Sequence, residues 1–152
     1  MRKLVFLDFD GVLHSDYCET HFSKRPLFEQ YLIEMPEAEV VISSSWRESY
    51  PFHTLKEKFT DSLQDRIVGF TPSLACGYDA GGRQREIEAF LQAEGLDSSN
   101  ATWRALDDMA YFFDKGSPYL ILVDPNNGFS DREGQILLDW YRTIESRENG
   151  IG

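Results

Sequence analysis

Two aspartates, Asp8 and Asp10, follow the first apolar run of the chain, residues 4–7. Residues two apart in an extended chain point to the same side, so both carboxylates are expected to lie together before Gly11 allows a sharp turn. Two carboxylates at the end of a buried strand repel each other unless a cation or a proton lies between them. In the context Phe-Leu-Asp-Phe-Asp-Gly-Val-Leu, the pattern indicates a functional pair rather than two solvated aspartates.

A second candidate segment begins with Ser43 and Ser44, which follow the apolar residues 40–42. A hydroxyl just after a buried strand, near free backbone N–H groups and a helix start, can hold a phosphate oxygen. Ordinary capping of a helix by serine would explain the same residues. Arg47 either points into the site or pairs with a surface carboxylate, and Trp46 is interpreted as a packing residue.

A second carboxylate pair, Asp107-Asp108, follows an apolar run that begins near Thr102. Magnesium prefers oxygen ligands and keeps several waters, so this pair at another strand end suits it, although a solvated turn would also explain the pair. The formal net charge is −11, and an acidic chain that handles a phosphate needs a counter-charge, which a divalent metal supplies. The same charge disfavours strong non-specific binding of nucleic acid.

Two arginines, Arg83 and Arg85, lie near the predicted start of a helix, and either could reach a phosphate unless both are solvated. Residues two apart on a helix point about 200° apart, so both cannot comfortably face one pocket. Arg83 lies four residues before Ile87 on the predicted buried stripe, whereas Arg85 falls towards the flank. Helical geometry therefore predicts that Arg83 faces the site.

Other polar residues give weaker signals. Asp124 could support the site, but Asp-Pro-Asn-Asn-Gly is above all a turn signal. The three histidines have no metal-binding spacing and are interpreted as surface or structural residues, although His14 is close enough to the first pair to touch a substrate. Cys18 and Cys76 are expected to be reduced thiols, because the chain shows no secretion signal.

The elements that must position these residues alternate between strands and helices. Short apolar runs predict five buried strands, at residues 4–9, 39–43, 66–70, 102–106 and 119–123. Helical patterns cover residues 26–35, 51–63, 83–94 and a last segment that starts with a capping box at Ser130. This alternation predicts an α/β fold with a parallel sheet and helices on both faces. In such sheets, ligands bind outside the carboxyl ends of the strands.

The bulk composition predicts one globular domain. The chain has 152 residues, 41% of them hydrophobic and 14% aromatic, which favours an ordered fold over residues 1–152. No apolar run approaches the roughly 20 residues that span a bilayer, and the N-terminus lacks a signal-peptide pattern. A cytoplasmic location without a membrane partner is therefore expected.

The order of the motifs resembles that of a known superfamily. Residues 8–12, then Ser43, then a basic residue, then Asp107-Asp108 are similar to the four-motif series of the haloacid-dehalogenase (HAD) superfamily, over about the first three-quarters of the chain. A narrower resemblance is to a small phosphatase-like domain of "Swiss Army Knife" RNA repair proteins, which also occurs alone. The residues of this chain that resemble it are 43–47, 69–72, 83–87 and 105–108. The resemblance implies a three-layer, Rossmann-like fold.

The resemblance also implies a role for each matching residue. Asp8 would attack phosphorus and form an aspartyl-phosphate, while Asp10 would protonate the leaving oxygen and then activate the hydrolytic water. Ser43, with Ser44 beside it, and Arg83 would hold the other phosphate oxygens, although the superfamily more often has lysine at the basic position. Mg²⁺ would be held by four acidic residues: Asp8, Asp10 through its backbone carbonyl, Asp107 and Asp108.

The spacing of the motifs bears on the substrate. Only about 30 residues separate the first two motifs and the loop over residues 71–82 is short, so no cap domain is expected over the site. A capless site would admit bulky phosphorylated substrates, and the resemblance suggests a nucleotide or a nucleic-acid end.

Two other classes of protein fit the sequence less well. A non-catalytic HAD-like scaffold is disfavoured because all four motif positions are filled. A receiver-type phosphoacceptor domain needs an aspartate after its third strand, where this chain has Thr71-Pro72.

Overall fold

A computed structural model describes residues 1–16 and 20–150, and a parallel sheet organises them. Its strands are β1 Arg2–Leu7, β2 Ala38–Ile42, β3 Ile67–Phe70, β4 Ala101–Asp107 and β5 Leu120–Leu122. They lie in the order β3-β2-β1-β4-β5, and all neighbouring pairs are parallel. The five predicted strands are confirmed, with ends displaced by at most two residues.

The α-helices of the described residues are α1 Arg25–Ile33, α2 Phe52–Lys56, α3 Gly82–Ala93 and α4 Asp131–Glu148. The predictions for α1, α3 and α4 are confirmed, and α4 starts with the expected capping box of Ser130 and Glu133. Their packing on the sheet follows from β1, whose side chains alternate between its two faces. Val5 and Leu7 pack with α1 and α4, whereas Leu4 and Phe6 pack with α3. The sheet is therefore covered by helices on both faces, as predicted.

The helix predicted over residues 51–63 is wrong in its second half. There α2 ends at Lys56, and a 3-10 helix, Asp61–Arg66, precedes β3. Between them Thr60 has a ψ of 137°, which no helix allows. Its N–H and its hydroxyl both donate to the Glu29 carboxylate, at 2.8 Å each, so a tertiary contact from α1 replaces the helical hydrogen bonds.

The carboxyl edge of the sheet carries little additional structure. Between β1 and β2 the described residues contain α1 as their only helix, and residues 71–81 before α3 contain neither a helix nor a strand. Within residues 1–16 and 20–150, no helix is long and apolar enough to cross a membrane. The prediction for Cys18 falls outside the described residues, and Cys76 is a free thiol.

Candidate active site

The central position of β1 brings three strand ends together. β1 pairs in parallel with β2 on one side and with β4 on the other. The pairing continues one residue beyond β1, because the Ser43 N–H donates to the Leu7 carbonyl (2.9 Å) and the Asp8 N–H donates to the Leu106 carbonyl (3.1 Å). The buried residues Ser43 and Asp107 consequently lie on either side of Asp8.

Three carboxylates form a cluster at this edge. Oxygen atoms of Asp8, Asp107 and Asp108 all lie within 4.8 Å of one another. Asp8 and Asp107 are buried, whereas Asp108 is partly exposed. Gly11 has a φ of +76°, and a Cβ atom added there would overlap the Asp108 carboxylate. Only glycine therefore allows both the turn and the close approach of Asp108.

The surroundings of the cluster disfavour three ionised carboxylates. Burial raises the pKa of Asp8 well above its usual value, and the charge of Asp107 raises it further. Burial also raises the pKa of Asp107, against the opposing effect of Arg83. Burial and the charge of Asp107 raise the pKa of Asp108 to about 6. Removal from water and mutual repulsion both favour the protonated forms, so a bound cation would favour ionisation.

Arg83, in the first turn of α3, reaches into the cluster. Its Nη1 donates to Asp107 Oδ2 at 2.6 Å and lies 3.3 Å from Asp8 Oδ2. Burial alone would lower the pKa of the guanidinium, but the charges of Asp107 and Asp8 raise it overall. The Arg83 Nε is buried and has no hydrogen-bond partner among the described residues. An unpaired buried donor on a charged group is uncommon and requires an explanation, such as a hydrogen bond to a water or a ligand.

Arg85 points away from the cluster. It forms ion pairs with Glu88 (2.6 Å) and Asp114 on the solvent side of α3, where its side chain is 42% exposed. The orientation predicted from helical geometry, with Arg83 towards the site and Arg85 on the flank, agrees with the structure. Phosphate binding by Arg83 stays a prediction.

The Asp10 carboxylate lies outside the cluster, contrary to the expected pairing with Asp8. The strand pairing ends at Asp8, and turn hydrogen bonds to the Phe9 carbonyl follow, so the alternation of a strand does not reach Asp10. The side chain is 53% exposed, lies 2.8 Å from His14 Nε2 and accepts a hydrogen bond from Trp46 Nε1 (3.1 Å).

The contacts of His14 and Trp46 were missed by the sequence reasoning. His14 is buried, so it is not a surface residue, and Trp46 is a hydrogen-bond donor to Asp10 as well as a packing residue. The one sequence feature that pointed to the contact between His14 and Asp10 is their separation of four residues. No pattern in the sequence connects Asp10 with Trp46, which lies 36 residues further along.

Arg47 supports the loop after β2 instead of entering the site. It is buried and pairs with Glu86 of α3 at 2.7 Å, not with a surface carboxylate as one expectation held. It also donates to the carbonyls of Ser44 and Thr71, both at 2.9 Å. The Ser44 hydroxyl accepts from the Trp46 N–H (3.2 Å), which is the capping contact considered as an alternative, and its phosphate contact stays a prediction.

Asp124 belongs to the turn that its sequence indicates. Its carboxylate accepts a hydrogen bond from the Asn126 N–H (2.9 Å), as in an Asx-turn. It is not part of the cluster formed by Asp8, Asp107 and Asp108.

The parallel sheet, with an acidic cluster at its carboxyl edge, is that of a Rossmann-like α/β domain and is consistent with the HAD type. The family model described as the HAD domain in Swiss Army Knife RNA repair proteins matches residues 4–133. The chain belongs to this family, and at family level it is a HAD hydrolase, a group whose members are usually phosphatases. No curated protein and no solved structure matches the chain significantly.

Proposed function

We propose that the chain is a magnesium-dependent phosphomonoesterase whose nucleophile is Asp8. One observation carries the proposal: Asp8 is buried at the end of the central strand, in one cluster with Asp107 and Asp108, and Arg83 lies 3.3 Å from its carboxylate. Family membership supports the class of reaction. The family also suggests the substrate, which we propose is a phosphorylated nucleotide or nucleic-acid end.

The donor set of the cluster fits Mg²⁺. Three ionised carboxylates beside one arginine leave two negative charges without a partner, which a divalent cation offsets, and carboxylate oxygens are the ligands that magnesium prefers. The ligands would be Asp8, Asp107 and Asp108, joined by the backbone carbonyl of Asp10. When bound, the ion would neutralise charge on the phosphoryl oxygens.

The residues of the chain would divide the reaction into two halves. In the first, an oxygen of Asp8 forms a bond to phosphorus while the bond to the leaving oxygen breaks, and Asp10 gives that oxygen a proton. In the second, Asp10 takes a proton from a water that attacks phosphorus, which releases phosphate and restores Asp8. Arg83 and Ser43 would hold the remaining phosphoryl oxygens throughout.

Magnesium is expected to raise the melting temperature of the protein, because it binds the folded state preferentially. At a magnesium concentration about 100 times the dissociation constant, the free energy of unfolding would increase by about 2.7 kcal/mol. Asp108→Asn should reduce this gain, and it should stabilise the metal-free protein because it removes a crowded charge. Calorimetry with and without Mg²⁺ checks both effects. A melting temperature that does not change in millimolar magnesium would count strongly against a metal site shared by these carboxylates.

Phosphate release from a panel of phosphorylated compounds, including oligonucleotides with 3′- or 5′-phosphates, tests the proposed function. We expect release that requires Mg²⁺. Arg83→Ala should raise the apparent KM and lower kcat. The ratio kcat/KM should fall by about 10²-fold, because a buried charged donor to the phosphoryl group is lost. Arg85→Ala is the matched control and should change little, since Arg85 pairs with the exposed carboxylates of Glu88 and Asp114. Equal losses in the two variants would contradict the assignment of Arg83.

A further inference from the structure

The Asp10 carboxylate is held by ring nitrogens from two separate parts of the chain. His14 Nε2 lies 2.8 Å from one of its oxygens, and the Trp46 Nε1–H donates to the other at 3.1 Å. The Asp10 side chain is 53% exposed, whereas that of His14 is 4% exposed. An exposed aspartate would otherwise exchange between rotamers, so contact with a buried partner restricts it.

The second nitrogen of His14 decides which way the first hydrogen bond runs. Nδ1 accepts a hydrogen bond from the backbone N–H of Phe22 at 3.2 Å. A ring nitrogen that accepts carries no proton, so the proton of the neutral imidazole resides on Nε2. His14 therefore donates to Asp10, and both oxygens of the carboxylate accept from an N–H group.

The position of the Phe22 N–H depends on an unusual backbone conformation. Phe22 has a φ of +61°, and it is the one non-glycine residue with a positive φ among residues 1–16 and 20–150. Bulky side chains rarely adopt this conformation, which persists only where the surroundings enforce it. The ring of His21 also stacks on His14 at 4.8 Å. The loop thus fixes the orientation of the imidazole as well as its tautomer.

We infer that His14, assisted by Trp46, is a positioning residue that aims the proton of Asp10 at the leaving oxygen of the substrate. The inference rests on the proposed function, because it requires that Asp10 transfers a proton. Each carboxylate oxygen has two lone pairs, so an oxygen that accepts from His14 or Trp46 can still carry the proton. That proton passes to the leaving oxygen as the phosphorus–oxygen bond breaks, and Asp10 regains one from the attacking water.

The dependence of the rate on the leaving group separates positioning from a merely structural role. p-Nitrophenolate leaves without a proton, whereas the alkoxide of glycerol 2-phosphate needs one. The ratio kcat/KM reports formation of the phosphorylated enzyme only, so hydrolysis of the intermediate does not obscure the comparison. His14→Asn, which keeps an acceptor near Nδ1 but does not reach Asp10, should lower kcat/KM for glycerol 2-phosphate at least about tenfold. For p-nitrophenyl phosphate the loss should stay below about threefold.

Matched variants complete the test. His14→Gln places an amide N–H near the position of Nε2 and should recover much of the loss on glycerol 2-phosphate. His21→Ala removes a ring that helps to orient His14 but removes no donor to Asp10, so it should lower kcat/KM for glycerol 2-phosphate more than for p-nitrophenyl phosphate, but by less than His14→Asn does. When Asp10→Asn is already present, adding His14→Asn should no longer change the ratio of the kcat/KM values for the two substrates. If His14→Asn does not fold, Trp46→Phe removes the other donor and provides the same comparison.

The outcomes distinguish this inference from the proposed function. Equal losses on both substrates in an active protein would overturn the positioning role alone. A wild-type protein that hydrolyses neither ester, and none of the phosphorylated compounds in the panel above, would overturn the proposed function and the positioning role together.

Discussion

Asp8→Asn is expected to abolish turnover and to leave the fold intact. An amide is a poor nucleophile and a poor ligand for magnesium, so kcat should fall by at least about 10⁴-fold. The fold should persist because asparagine has nearly the same shape, and its amide oxygen can accept the Phe9 N–H as Asp8 does now at 2.9 Å. Phosphate release and the melting temperature measure the two effects.

A matched control is Asp139→Asn, which makes the same change on the exposed face of α4. It should retain wild-type activity. Wild-type turnover by Asp8→Asn would show that the mechanism is wrong. A large drop in its melting temperature would instead show that the aspartate is needed for folding.

Arg47→Met is expected to destabilise the protein by about 3–5 kcal/mol, because it leaves a buried charge without its partner. The side chains of Arg47 and Glu86 are 3% and 4% exposed, and their charged groups are 2.7 Å apart. The carbonyls of Ser44 and Thr71 also lose a donor. Urea unfolding with a linear extrapolation measures the change in the free energy of unfolding.

Two further variants test the origin of this loss. Glu86→Gln combined with Arg47→Met removes the unpaired charge and should recover part of the stability. Arg85→Ala breaks two exposed ion pairs and should cost less than about 1 kcal/mol. A cost below about 1 kcal/mol for Arg47→Met would mean that the buried pair does not support the loop.

The sequence predicts the sheet and most of the cluster, because both follow from short-range patterns. Each strand reads as an apolar run, and parallel strands bring the residues after them to one edge. Asp8 and Asp107 therefore meet although they lie far apart in the chain. The position of Arg83 follows from the period of one helix and the buried stripe that Ile87 defines.

The remaining features depend on tertiary contacts that local patterns do not encode. The Asp10 side chain does not follow the strand alternation because β1 ends before it. One of its hydrogen-bond donors, Trp46, lies 36 residues further along the chain. Arg47 pairs with Glu86 of α3, which is separated from it by 39 positions in the sequence. In the same way, the contact between Glu29 and Thr60 ends the second helical pattern early.

Trapping the phosphorylated protein tests the central claim most directly. The Asp10→Asn variant, which should release phosphate from the intermediate slowly, would be mixed with Mg²⁺ and radiolabelled p-nitrophenyl phosphate, quenched in acid and digested. We predict a hydroxylamine-sensitive label on the peptide that contains Asp8, and no label when Asp8→Asn is added to the variant. A label on another residue, or phosphate release by the wild-type protein without any labelled intermediate in Asp10→Asn, would contradict the assignment of Asp8 as the nucleophile.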